Sequence, residues 1–398
     1  MKRHSFRVSI LSFILLCGAA ERVSAQTSPV NIVTTAVPFL RISPDARSGG
    51  MADVGVATAP DANSSFWNVA KTPFNTNSAG LGVTYTPWLK DLGLNDVYMA
   101  TMAGYYKLDD DKALSASLRY FSLGNIQFTD FSGNLLNAYN PKEFAFDIGY
   151  SMKISDRTAI GASLRYINSS LANGTVNGVT YKAGHAAAGD VTLYSDQTDD
   201  SGEGVSFGVA LTNLGTKIGY TNNSANKDYI PANLGIGISY TSVFDESNKM
   251  SFSLDMNKLL VPVPPTSQDN GGPIDSANLA SYRTMSVASS WMKSFHDGSN
   301  QFADLQFSGG IEYAYDNLFM LRAGYYYESA QNGNRKYFAV GTGLKYDIFH
   351  IDLSYLVPAG NGVTRNPLSN TLRIGIAFDL GSEGESGKSS SNSAGKMF

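Results

Sequence analysis

Over residues 370–380 the side chains alternate between two kinds without interruption. Leu372, Ile374, Ile376, Phe378 and Leu380 take one set of positions; Arg373, Gly375, Ala377 and Asp379 take the other. Successive Cβ atoms of a strand point to opposite faces, so a period of two predicts a strand with one apolar and one polar face. The pattern recurs from about residue 80 onward. Leu114, Ala116, Leu118 and Tyr120 oppose Ser115, Ser117 and Arg119, and Ile160, Ala162, Leu164 and Tyr166 oppose Gly161, Ser163 and Arg165. Likewise Met250, Phe252, Leu254 and Met256 oppose Ser251, Ser253, Asp255 and Asn257. In all, the alternation predicts fourteen strands, near 80–88, 96–107, 112–121, 143–153, 157–168, 187–195, 203–214, 231–243, 249–258, 303–315, 318–329, 336–346, 348–357 and 370–380.

Such a strand suits a soluble sandwich, with its apolar face inward, or an outer-membrane barrel, with that face on lipid and the polar face in the lumen. The connections decide between them. Those after the even-numbered strands are short, centred near 109–111, 155–156, 196–202, 245–248, 316–317 and 347, and several carry the Asp, Asn or Gly of tight turns. The intervening ones are mostly longer, near 122–142, 169–186, 215–230 and 259–302. Short turns on one rim and long loops on the other, with an even strand count, are the asymmetry of a bacterial outer-membrane barrel. The expected fold is therefore all-β: a 14-stranded antiparallel transmembrane barrel over residues 80–380, with both ends of the mature chain on the short-turn, periplasmic side.

Composition agrees with that reading. Charged residues are 16% of the chain while Tyr, Phe and Gly number 22, 21 and 39, which fits aromatic girdles and a crowded interior. A formal net charge of -4 gives no basic face for nucleic acid. Residues 1–25 read as a secretory signal: Lys2, Arg3 and Arg7, then apolar Val8–Ala20, then small residues at Val23-Ser24-Ala25. The single cysteine, Cys17, lies inside it, so the mature chain has no thiol for disulfides, metal or nucleophilic attack. No later apolar run is long enough for a spanning helix. A Ser- and Gly-rich tail over 381–398 reads as disordered.

A barrel of this size must have its lumen filled or open. Residues 26–79 carry no strand ladder and are the expected plug. Inward-facing Arg119, Arg165, Arg322 and Arg373 can pair with inward-facing Asp147, Asp255, Glu312 and Asp352, or hold that plug. The connection 259–302 opens with Val261-Pro-Val-Pro-Pro265, and Val287, Trp291 and Phe295, with Ala288 and Met292, recur at helical spacing, predicting a short amphipathic helix over 284–296. Such a helix either folds over the rim or presents Val287, Trp291, Met292 and Phe295 to a partner. Catalysis is not expected: the mature chain has only His185, His296 and His350, and His350, Asp352 and Ser354 on one strand stand too far apart for a triad. It has no phosphate loop and no metal cluster, and no cofactor is expected.

Two stretches carry a family resemblance. Ile42-Ser-Pro-Asp-Ala-Arg-Ser-Gly-Gly-Met51, with Pro44, Asp45, Arg47, Gly49 and Gly50, precedes Gly55-Val-Ala57 and then Pro60-Asp-Ala-Asn-Ser-Ser-Phe-Trp-Asn-Val-Ala-Lys71, with Trp67 and Asn68. Together with Ala210-Leu-Thr-Asn-Leu-Gly215, Asp228-Tyr-Ile-Pro-Ala-Asn-Leu-Gly235 and Arg322-Ala-Gly-Tyr-Tyr326, they resemble the PorV family, outer-membrane components of the type IX secretion system of Bacteroidota distantly similar to FadL-type barrels. Where that family carries Asn-Pro-Ala, this chain has Asn68-Val69-Ala70. The resemblance implies a non-enzymatic protein that binds the C-terminal signal domains of cargo leaving the translocon. It would deliver them to a sortase-containing attachment complex. A FadL-type transporter of hydrophobic small molecules is the alternative; it calls for an apolar inward pocket, whereas the inward sets above are mostly Gly, Ser, Arg and acids.

Overall fold

The computed structural model describes residues 34–88, 94–129, 135–176, 179–223, 227–265, 276–297, 301–329, 333–358 and 371–382. The segment expected to be a signal, residues 1–25, and most of the tail beyond Leu380 lie outside the described residues. Fourteen strands form one closed antiparallel barrel in which each strand pairs with its neighbours in sequence. They are β1 (Asn77–Pro87), β2 (Val97–Lys107), β3 (Lys112–Leu123), β4 (Lys142–Ser155), β5 (Thr158–Ser170), β6 (Gly184–Asp196) and β7 (Gly204–Gly215). β8 (Asn233–Val243), β9 (Asn248–Leu259), β10 (Leu305–Tyr315), β11 (Phe319–Glu328), β12 (Lys336–Tyr346), β13 (Phe349–Pro358) and β14 (Thr371–Ser382) complete it. All fourteen fall on the segments that alternate in the sequence. The barrel closes between β1 and β14, from Asn77 opposite Ser382 to Tyr85 opposite Ile374.

The apolar half of each alternation points outward. Leu372, Ile374 and Ile376 are exposed on β14 while Arg373 between them is buried, and Leu164 on β5 is 76% exposed between buried Ser163 and Arg165. This inverts the rule for water-soluble proteins and leaves a continuous apolar wall, as a hydrocarbon surrounding requires. Aromatic rings mark both ends. At the long-loop end Tyr85, Tyr98 and Tyr120 follow one another at 5.5 and 6.2 Å between centroids, with Phe144 and Tyr166 6.1 Å apart further round. Tyr106, Tyr150, Tyr240, Tyr346 and Phe349 stand outward near the short-turn end. No described helix is long and apolar enough to cross a membrane.

Residues 34–76 contribute no strand to the barrel and pack against its inward face. Short turns shape this segment: a 3-10 turn at Pro38–Arg41, helix α1 (Ala46–Gly50), and 3-10 turns at Ser64–Phe66 and Val69–Phe74. Val69 takes the first position of the last turn, where proline's missing N–H and fixed φ are also tolerated, so Asn68-Val69-Ala70 keeps the geometry of an Asn-Pro-Ala start.

The inward face is less uniformly polar than the sequence pattern suggests. Near the long-loop rim Val97, Met99, Phe121, Ala145, Ile167, Ala186 and Ala188 form an apolar lining, and Val37, Phe39, Leu40 and Ile42 of the plug fill it. Two small hairpins, Ile126–Thr129 with Leu135–Tyr139 and Gly174–Val176 with Val179–Tyr181, extend the loops of that rim.

Candidate functional site

The plug is held by side chains of the barrel wall that seek its backbone and its charges. Asp45 caps α1 by accepting the Ser48 N–H at 2.8 Å, and its second oxygen accepts the Trp67 indole N–H at 2.6 Å. Burial, followed by the nearby Asp61 carboxylate, pushes Asp45 up to about 6. Pro44 offers its carbonyl to the Thr101 hydroxyl at 2.5 Å. Asn68 donates to the carbonyls of Val56, at 3.0 Å, and Leu193, at 2.9 Å, while its Oδ1 accepts the Ala70 N–H. Gly49 and Gly50 permit close approach to the wall: a Cβ at Gly49 would come 2.8 Å from Arg373 Nη1, and one at Gly50 would come 3.0 Å from the Gly341 Cα.

Arg47 is the densest junction. Its Nε and Nη2 donate to both oxygens of Glu312 at 3.0 and 2.8 Å, and Nη1 donates to Asp61 and to the Ala59 carbonyl, each at 2.9 Å. Arg322 donates to the same Glu312 at 2.6 Å and to Asp352 at 2.5 Å. The fork of each guanidinium thus joins plug, β10, β11 and β13 into one network. Burial raises the Asp61 carboxyl, but the Arg47 and Lys71 charges together with the hydrogen bonds it accepts from Arg47 and the Asn63 N–H hold it below its usual range. Lys71, buried and donating to Gly55 O and Thr58 Oγ1 at 3.0 Å, is pushed by burial down to about 8.

The wall charges divide between the two roles the sequence allows. Arg165 bonds Asp147, Asp190 at 2.9 Å and the Asn213 side-chain oxygen. Asp255 instead receives the plug N–H groups of Gly55 at 2.7 Å and Val56 at 2.9 Å. Arg119 donates to the plug carbonyls of Leu40, at 2.7 Å, and Phe66, at 3.3 Å, and stacks over the Phe66 ring. Arg373 stands 3.9 Å from plug residue Asp53, whose other oxygen accepts the Tyr337 hydroxyl at 2.5 Å. Asn213 was not legible as inward. A bulge sets three steps of β7, Leu211 to Leu214, against two of β6, Val191 to Gly189, and reverses the face of the following residue.

The long insert between β9 and β10 carries two helices, α2 (Ser276–Thr284) and α3 (Val287–Lys293). The expected single helix over 284–296 is corrected at its start: the chain breaks at Met285, and Ser286 caps α3 by accepting the Ser289 N–H at 3.1 Å. The break is held from below, where Lys217 donates to the carbonyls of Arg283 and Met285 at 2.7 and 2.8 Å and the Tyr229 hydroxyl donates to the Tyr282 carbonyl at 3.1 Å. The apolar residues divide. Val287 and Trp291 are half-buried, Met292 is 67% exposed, and Phe295 is 37% exposed with the Lys258 ammonium 5.8 Å from its ring centre. One side of the insert thus lies against the rim and the other faces outward. Residues 266–275 lie outside the described residues. Among the described residues no group of three or more His, Cys, Asp or Glu is placed to hold a metal ion.

The solved structures similar to this one are barrels as well. The toluene transporter TodX of P. putida superposes with a TM-score of 0.49 at 13% identity, covering 85% of this chain and 98% of its own. The toluene transporter TbuX of Ralstonia pickettii gives 0.48 at 12%, covering 84% and 96%. A FadL homologue of Pseudomonas aeruginosa gives 0.46 at 11%, covering 85% and 99%. No curated protein matches the chain. The profile of the family described as type IX secretion system protein PorV matches residues 24–266. That span is more than half of the 398 residues and contains the whole plug and β1 to β9. The chain therefore belongs to the PorV family and is an outer-membrane β-barrel component of the type IX secretion system.

Proposed function

We propose that this protein is a non-enzymatic docking component. It binds the C-terminal signal domains of cargo leaving the translocon, and delivers them to the sortase-containing attachment complex at the cell surface. The observation that carries the reading is the pairing of a lumen filled by residues 34–76 with an ordered helical insert on the long-loop rim. A plug tied down at Asp255, Arg47 and Arg119 favours contact at the surface over transport through the lumen. On the rim, Met292 and Phe295 project outward beside half-buried Trp291, the kind of aromatic and thioether anchors that concentrate binding energy. The transporter alternative would use the apolar lining around Met99 and Phe121; the plug's Phe39 already stacks on Phe121 at 6.5 Å.

The test is recovery of partners from native membranes with the tagged full-length protein and its Trp291→Ala/Met292→Ala/Phe295→Ala variant. Expected is loss of co-purifying cargo and attachment proteins at unchanged barrel abundance. Unchanged recovery would remove the insert as the docking element.

A further inference from the structure

A cavity of about 120 Å³ lies between plug residues 40–44 and the long-loop ends of the strands facing them. Arg41, Arg119, Arg165 and Arg335 line it. The Arg165 charge is met by Asp147 and Asp190. Of the remaining three guanidiniums, two meet one carboxylate: Glu328 takes Arg335 through both oxygens at 2.6 and 3.0 Å and Arg41 at 3.4 Å. Among the described residues no carboxylate lies within 4 Å of buried Arg119, whose two Nη groups donate only to carbonyls and whose Nε has no partner. Asp53, also on the lining, stands 3.9 Å from Arg373 and forms no ion pair with any of the three among the described residues. Ser43, buried and lining the same space, has an unpartnered hydroxyl.

Buried charges are stable when paired, and an orphaned guanidinium N–H costs the desolvation of that donor. A guanidinium fork fits the oxygens of a phosphate or carboxylate. The space is several times what a single water needs. We propose that this cavity is a binding site for a small oxyanion of the phosphate or carboxylate class, held between Arg41 and Ser43 of the plug, Arg119 of the wall and Arg335 at the rim. The anion would bridge plug to barrel, so its binding would stabilise the plugged form.

Calorimetric titration of the detergent-solubilised full-length protein tests this, with sodium phosphate and sodium acetate each compared with sodium chloride at equal ionic strength. Saturable binding of phosphate or of acetate, above chloride, is expected, and which of them binds assigns the ligand's geometry. Arg41→Gln should weaken binding at least tenfold and Ser43→Ala severalfold. Lys249→Gln, in the separate recess at the short-turn end, should leave it unchanged. Thermal unfolding in chloride checks that each variant folds. Absence of saturable binding by either anion, or equal affinity in wild type, Arg41→Gln and Ser43→Ala, would overturn the proposal.

Discussion

Replacing Asp255 by Ala is the most direct way to loosen the plug while leaving the barrel wall intact. Asp255 is fully buried on β9, and one of its oxygens accepts both the Gly55 and the Val56 N–H groups. The Asp255→Ala variant leaves two buried backbone donors without an acceptor, at about 1–3 kcal/mol each, or about 2–6 kcal/mol together. The pairing of β8, β9 and β10 does not involve this side chain, so the loss falls on the plug. Local opening that exposes those amides should become at least about 30-fold more frequent, at a factor of ten per 1.4 kcal/mol. Hydrogen exchange measured on residues 45–60 in detergent reads this directly, with strands β8 to β10 as internal reference. Asp255→Asn, which keeps an acceptor oxygen but loses the charge, should fall between wild type and Asp255→Ala. Wild-type protection of Gly55 and Val56 in Asp255→Ala would refute the claim that the wall holds the plug through this carboxylate.

Three further outcomes follow from the charges inside the barrel and the apolar face outside it. Arg165→Met strands Asp147 and Asp190 as buried, unpaired carboxylates, so it should destabilise the barrel by about 3–5 kcal/mol, read as a lower midpoint of thermal unfolding; an unchanged midpoint would sink that role. Leu164→Arg should lower stability in lipid vesicles by about 2–4 kcal/mol, whereas a water-facing site would tolerate it, and equal folding efficiency of the two proteins would contradict a lipid-facing wall. The Asp45 carboxyl sits above its ordinary value, so its contribution to plug docking is full below about pH 4 and is lost as pH rises through about 6. Chymotryptic cleavage of the plug should therefore accelerate between those values in wild type and change less in Asp45→Asn; matching profiles would refute the assignment to Asp45.

The strands were legible in the chain because alternation is local: a strand's two faces are written in neighbouring residues, and the apolar face marks itself whatever lies across the barrel. Loop lengths then oriented the barrel, again without any long-range information. The plug was legible only as a gap in that pattern. Its grip on the wall depends on contacts between residues far apart in sequence, such as Arg47 with Glu312 or Tyr337 with Asp53, and no local periodicity reports those. The apolar lining around Phe121 is not legible in the chain because its members come one or two at a time from five strands and form a patch only when the sheet closes. Asn213 turned inward through a one-residue bulge, which reverses a face and leaves composition unchanged. Local chemistry therefore determined the wall and its direction. Closure of the sheet decided which charges meet, because side chains separated by hundreds of residues become neighbours only once fourteen strands share one interior.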